Sequence, residues 1–301
     1  MKKRNILDSP RLLGLKKEKN QIMLKKAYIF LFLFILLVPA LSLLSRWEKL
    51  NIINVEINGN KVIDKSILEN LIKEKISGNY LFVFPKRNFI FYPKQDIQDE
   101  LRAKFKRLSH IELDLKDFQT LSVNVTERTA LYTWCGDTPF TTQITEENQD
   151  ETIEKTASPC YFMDDTGYIF DKAPYFSGEV YLKFYGVVEK EDDTSIGFSF
   201  KEKDFNNLIF YKKEFEKMGL KLASFFVDEN ADIRSYLSST SSSIGPELIF
   251  KSSDTPSQIV ANLDATLSTE PLLSNFKSKY NSLLYIDMRF GNKVYYKFSE
   301  E

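Results

Sequence analysis

A chain of 301 residues that is 43% hydrophobic and 14% aromatic has enough apolar material for one or two folded cores, which excludes a disordered chain. Its formal net charge of −1 hides a division: residues 1–26 carry nine Lys/Arg against Asp8 and Glu18, and the remainder is net acidic. An acidic bulk lacks the basic footprint of a nucleic-acid binder, so no nucleic-acid partner is expected and the basic head needs another explanation.

Residues 27–44, AYIFLFLFILLVPALSLL, supply that explanation: they run for 18 positions without a charge between Lys25-Lys26 and Arg46. At about 1.5 Å per residue the run covers roughly 27 Å, close to the hydrocarbon thickness of a bilayer, and predicts a single N-terminal transmembrane helix in contact with lipid. Pro39 is tolerated within such a helix. The excess of Lys and Arg before the run makes residues 1–26 a cytoplasmic basic tail and places residues 45–301 outside. A cleaved signal peptide is the alternative, because Pro39-Ala40-Leu41-Ser42 offers small residues at cleavage-like spacing. The 26-residue head and the length of the apolar run argue against it.

Beyond the membrane, Ile53, Val55 and Ile57 alternate with polar residues up to Asn58-Gly59-Asn60, which reads as a strand and a turn. Ser66-Ile67-Leu68-Glu69 has the form of a capping box, and Leu68, Leu71, Ile72 and Ile76 then share one face of a helix running from about Ser66 to Ile76. An aromatic-rich connection, YLFVFPKRNFIFYP, separates it from a second helical period at Ile97, Leu101, Phe105 and Leu108, with Asp96 placed to cap it. Two period-two runs follow: Ile111, Leu113 and Leu115, then Leu121, Val123 and Val125. The order β-α-α-β-β thus fills residues 51–127.

From residue 128 to 301 the texture changes to strand-like pieces: TALYTWC, CYFM, GYIF, VYLKF, LKLASFFV, PELIF and a closing YIDMRFGNKVYYKF. One clear helix is expected at about Asp204–Met218, with Phe205, Leu208, Ile209, Lys212 and Phe215 on its apolar face, and a weaker one at Pro256–Leu267. This is a second, β-rich domain, and the whole is of the α+β class. Thr141–Ser158 reads as a polar loop, and the serine run Ser238–Ser243 as a hairpin loop rather than a linker. Outside the cytoplasm Cys135 and Cys160 are free to form a disulfide, which closes a loop of about 26 residues and contributes roughly 3 kcal/mol on the chain-entropy model. Two separately buried thiols are the other possibility.

Chemistry-bearing patterns are missing. His110 is the single histidine, stands just before a strand and has no evident partner, so neither a metal site nor a catalytic base is nominated. Met163-Asp164-Asp165-Thr166-Gly167 reads as the turn of a hairpin rather than as an acidic metal motif. No phosphate loop, dinucleotide fingerprint, zinc-protease or nucleophile-elbow pattern occurs, and no cofactor is expected. Asn124-Val125-Thr126 is a formal glycosylation sequon inside an expected strand.

The order of these parts, basic head, one span, a β-α-α-β-β module and a β-rich domain, resembles the bacterial cell-division family FtsQ, also called DivIB. In that family the first outer module is a POTRA domain. "IINVEINGNKVIDKSILENLI", "IQDELRAKFKRLSHIELDL" and "LSVNVTERTALYTW", with its hydrophobic strand running into Glu-Arg, are similar to it. "CYFMDDTGYIFDKAP" is similar to the family's strand-Asp-x-x-Gly-strand hairpin, and "LLYIDMRFGNKVYYKF" to its closing Asp-x-Arg-aromatic strand pair. The chain departs from the family at Phe118-Gln119-Thr120, where a proline is common, and in its cysteine pair with an acidic insert. The resemblance covers residues 25–298. It implies a non-enzymatic divisome scaffold, concentrated at the septum of the cytoplasmic membrane. Such a scaffold binds small bitopic partners of the FtsB and FtsL type, and through them bears on the FtsW–FtsI septal synthase.

Within the closing strands a three-residue loop, Gly291-Asn292-Lys293, sorts the faces: Phe290 opposes Val294, Met288 opposes Tyr296 and Ile286 opposes Phe298. Asp287 then faces Lys297 and Arg289 faces Tyr295 on the outer side. A terminal strand with a free edge invites a partner strand through backbone hydrogen bonds, while Lys293 and Lys297 blunt nonspecific pairing. The alternative is a last strand paired on both sides. The candidate partner-binding residues are Asp287, Arg289, Phe290, Asn292, Tyr295, Tyr296 and Lys297. Two other functional classes stay open on sequence: a membrane-tethered cell-wall enzyme, and a POTRA-bearing transport component.

Overall fold

The computed structural model describes residues 10–139, 159–174, 176, 179–188, 196–239 and 245–299. The expected loop Thr141–Ser158, the serine run from residue 240 onward and the first nine residues of the basic tail lie outside them. The chain divides between Glu127 and Arg128 into two compact units.

The first unit begins with helix α1, Pro10–Ser45, of 36 residues. It is longer than the expected residues 27–44, because the stretch before them is rich in Leu and Lys, which favour helix, and Pro10 suits a first helical position. Its Lys19–Ser45 portion is long and apolar enough to cross a membrane. The apolar side chains from Tyr28 to Leu37 are more than half exposed all round the helix, as suits lipid rather than a protein core.

After α1 come β1 (Asn54–Asn58), α2 (Lys65–Lys75), a small hairpin of β2 (Asn79–Tyr80) and β3 (Phe84–Pro85), α3 (Lys94–Lys104), β4 (Leu108–Leu115) and β5 (Thr120–Glu127). The sheet order is β1-β5-β4, with β1 parallel and β4 antiparallel to β5. Leu68, Leu71 and Ile72 of α2 and Ile97 and Leu101 of α3 form one core with the alternating residues Val55, Ile57, Ile111, Leu113, Leu121, Val123 and Val125. The N-cap of α2 is Asp64, not Ser66: its carboxylate accepts from Ser66 N at 2.8 Å and Ser66 Oγ at 2.9 Å, and its charge complements the helix dipole. Glu69 pairs instead with Lys73 one turn on. Asp96 sits in the first turn of α3 rather than at its cap, since Pro93 starts the helix earlier, and Leu108 belongs to β4. Leu115, at the end of β4, is exposed.

The second unit holds β6 (Tyr132–Trp134), β7 (Tyr161–Met163), β8 (Ile169–Lys172), β9 (Leu182–Tyr185), α4 (Glu202–Lys217), β10 (Leu222–Val227) and β11 (Asp232–Leu237). It continues with β12 (Glu247–Lys251), α5 (Pro256–Leu267), α6 (Leu272–Ser278), β13 (Leu283–Phe290) and β14 (Lys293–Phe298). Its strands form one nine-stranded mixed sheet in the order β14-β13-β12-β11-β10-β9-β6-β7-β8. The parallel pairs β9/β10 and β12/β13 are joined through α4 and through α5 and α6, as parallel neighbours require a crossover. Aromatic rings dominate the core: Phe184, Phe200, Phe205, Tyr211, Phe215, Phe225 and Phe250 are each at most 1% exposed. On α4 it is Tyr211, not Lys212, that completes the buried face; Lys212 pairs with Glu216 at 2.7 Å. Cys135 at the end of β6 and Cys160 before β7 are disulfide-bonded.

Candidate functional site

His110 lies within β4 rather than before it, and is exposed. Among the described residues no group of three or more His, Cys, Asp or Glu is placed to hold a metal ion. The Asp164–Gly167 stretch turns the β7–β8 hairpin. Asp164 Oδ1 accepts from Thr166 N at 2.9 Å, Thr166 Oγ1 at 2.7 Å and Tyr168 N at 3.0 Å, and Oδ2 is paired with Arg128. Burial alone would raise the Asp164 carboxyl, but these bonds hold it below the ordinary carboxylate range. That carboxylate is committed to the turn. The Glu-Arg pair at the boundary is committed in the same way: Glu127 accepts from the backbone N–H groups of Lys61, Val62 and Ile63, while Arg128 also stacks at 4.0 Å over the Tyr168 ring.

The closing hairpin takes a register different from the expected one. Gly291-Asn292 is a two-residue turn with Phe290 opposite Lys293, and Gly291 at φ +67° supplies the left-handed conformation a tight turn needs. Between Asp287 and Phe290 the register shifts, because β13 carries one residue more than β14 there. Beyond this bulge Asp287 faces Tyr295, Ile286 faces Tyr296 and Tyr285 faces Lys297. The expected three-residue loop and the pairs Phe290–Val294, Met288–Tyr296, Ile286–Phe298, Asp287–Lys297 and Arg289–Tyr295 are therefore corrected. The bulge supplies the odd residue that the loop was expected to supply, so Ile286 still meets an aromatic residue on the core side.

Asp287 is not on an outer, solvated face. It is 6% exposed and is clasped by Arg289, whose Nε and Nη2 donate to its two oxygens at 2.9 and 2.7 Å. Arg289 Nη1 reaches across β12 to Asp232 Oδ2 on β11 at 2.7 Å. Burial would raise Asp287, but the hydrogen bonds from Arg289 outweigh it and lower its carboxyl below the usual value. The hydrogen bonds to Asp287 and then Asp232 raise the guanidinium further. These two residues brace the strand behind the edge.

The other candidates are accessible, on two faces. Phe290 is exposed and meets Tyr295 edge-on at 5.2 Å; Lys293 and Lys297 flank Tyr295 on the same exposed side of β14. Val294, Tyr296 and Phe298 are half-buried against the core. Tyr296 and Asn292 line a shallow groove of about 270 Å³ against Asn262 and Thr266 of α5. Asn262 Nδ2 also donates to Gly291 O at 3.1 Å, fixing the turn.

The two sheet edges differ. Beyond β8, Ile169 N donates to Phe198 O at 2.8 Å and Gly197 N to Ile169 O at 2.7 Å, so the 197–199 segment covers the start of that edge. Among the described residues β14 pairs with β13 alone. Asp232 and Asn262 were not among the sequence candidates. Strand β11 was not read from sequence either, although the alternation of Ile233, Ser235 and Leu237 after the Asn230-Ala231 turn is a period-two signal. The sequence matches no family model and no curated protein.

Proposed function

We propose that this chain is a non-enzymatic scaffold of the bacterial division machinery, of the FtsQ/DivIB kind. On this reading α1 crosses the cytoplasmic membrane with the N-terminus inside, and the β-α-α-β-β unit is a POTRA domain. The edge of β14 receives a strand from a small bitopic partner of the FtsB or FtsL type, and through it the scaffold acts on FtsW–FtsI septal synthesis at the division site.

The observation that carries this reading is the contrast between the edges: the start of β8 is covered by the 197–199 segment, whereas among the described residues β14 ends the sheet and pairs with β13 alone, which suits strand addition. Phe290, Tyr295 and Lys297 on one side, and Tyr296 in its groove on the other, stand where the side chains of an added strand would fall.

The test is photocrosslinking in dividing cells with a benzophenone side chain at Tyr295, or at Lys172 on the opposite edge as control, alongside imaging of an N-terminal fluorescent fusion. The expected result is capture of a small bitopic protein from position 295 only, and fluorescence in septal rings. Uniform membrane fluorescence from a stable, complementing fusion would overturn the division reading. Equal capture from both positions would overturn the edge assignment.

A further inference from the structure

The β2–β3 hairpin carries features that strand addition at β14 does not use. Leu81 and Phe82 at its tip are 88% and 92% exposed, and both hold left-handed φ angles, +46° and +62°, that bulky residues rarely adopt. Two large apolar side chains kept in water by a strained turn point to a use.

The hairpin is fastened to the end of α1. Ser42 Oγ donates to Val83 O at 2.8 Å, Arg46 Nη2 to Phe82 O at 3.2 Å, and Asn88 Nδ2 to Ser45 O at 3.0 Å. Asn51 Nδ2 donates to the same Ser45 carbonyl and to Trp47 O, and Asn51 and Asn88 are both buried, so the joint satisfies carbonyls that the helix end leaves free. Ser42 lies three residues, about 4.5 Å, before the last residue of α1. A backbone group of the hairpin therefore sits at the depth of the last turn of a helix able to span a membrane. Cations surround it: Arg46 and Arg87 line a cavity of about 490 Å³ beside the hairpin, and neither meets a carboxylate among the described residues. Lys86 lies 5.5 Å over the Tyr80 ring.

We infer that this hairpin is an interfacial foot: Leu81 and Phe82 enter the acyl boundary of the leaflet from which α1 emerges, and Arg46 and Arg87 meet its phosphates. The occupant is the bilayer because the chain itself leaves it at this point, and an apolar tip rimmed by cations is the composition of a membrane-surface contact. The inference rests on the reading of α1 as a membrane span.

The test places a nitroxide on the full chain in phospholipid nanodiscs at Leu81→Cys, Phe82→Cys, Lys61→Cys or Leu36→Cys, labelled without reductant so that the native disulfide is kept. Power saturation compares access of oxygen, which concentrates in lipid, with that of a water-soluble nickel chelate. Lys61 is exposed in the turn after β1, at the end of that strand away from Asn51, and Leu36 lies within the span. The expected result is an oxygen-to-chelate ratio at positions 81 and 82 several-fold above that at 61 and approaching that at 36. A ratio at position 82 equal to that at 61, with position 36 still in lipid, overturns the foot and leaves the span standing. Water access at position 36 overturns both.

Discussion

Replacing Arg289 by Met strips the cation from a carboxylate that the fold has taken out of water. Asp287 is 6% exposed and two of its bonds come from the Arg289 side chain. Breaking a buried pair from one side costs about 3–5 kcal/mol; because the Arg289 side chain keeps 28% of its surface in water, part of that penalty is relieved, leaving about 2–3 kcal/mol. In the native protein the Asp287 carboxyl is lowered, so it contributes stability above the ordinary aspartate value, which is lost as pH falls through the lowered one. In R289M burial is opposed only by the backbone N–H of residue 289 and the Arg234 charge, so the carboxyl lies higher than in the native protein, and the deficit is largest at neutral pH and shrinks as acid protonates the carboxylate. Urea unfolding of the full chain in detergent, on a Trp47→Phe background, reads this directly. Trp134 is then the remaining tryptophan; it is buried in the second unit and donates to Gly186 O at 2.9 Å. Adding Asp287→Asn to R289M removes the stranded charge and recovers more than half of the loss. A loss below about 0.5 kcal/mol, or a deficit that acid leaves unchanged, would show the cluster to be an ordinary surface pair and refute the bracing role.

Gly59 has φ +86°, and an added Cβ meets Val125 O at 2.1 Å, so Gly59→Ala destabilises the first unit by about 3 kcal/mol, seen as a lowered thermal midpoint in circular dichroism. Glu127 accepts three backbone N–H groups; burial would raise its carboxyl but those bonds lower it, so its contribution is present above about pH 4.5 and lost as pH falls through the lowered value. Glu127→Gln therefore costs about 1–2 kcal/mol at neutral pH, and the two proteins converge in stability toward pH 3. The Cys135–Cys160 bridge has a sequence separation of 25, and Cys135→Ser/Cys160→Ser lowers stability by about 3 kcal/mol. Thiol titration of the denatured native chain should find none before reduction and two after.

Periodicity carried the apolar spacing of α2 and the strands of the first unit, because Leu68, Leu71 and Ile72, and Leu121, Val123 and Val125, each face a single core. Caps were less legible: Asp64 and Ser66 both suit an N-cap, and the choice depends on which residue the backbone leaves extended. The closing hairpin shows the same limit. The need to keep Ile286 on the apolar side was readable, but whether a loop or a bulge met it was not, since both restore the same parity. Asp287 was read as solvated because alternation sets it on the face opposite Ile286; it is enclosed there by Arg289, whose link to Asp232 spans 57 residues and three strands that no local pattern connects.

An edge that no second strand covers among the described residues has to be reconciled with the risk of self-association. Strand β14 has six residues and exposes Lys293, Tyr295 and Lys297 on one side, so a second copy adding to this edge would bring like charges into register. The charges oppose self-pairing, while a partner of opposite charge escapes the penalty. Replacing Lys293 by Thr and Lys297 by Val keeps strand propensity and removes the repulsion, leaving Tyr295 between neutral neighbours. The expected outcome is dimerisation of the full chain in detergent, strengthening with concentration in sedimentation velocity and abolished by Tyr295→Pro, which removes a backbone donor from the strand. If K293T/K297V stays monomeric at concentrations tens of times above those where the native chain is monomeric, the lysines are not what keeps the edge single. The edge would then be closed by some other part of the protein, and strand addition at β14 would lose its main structural support.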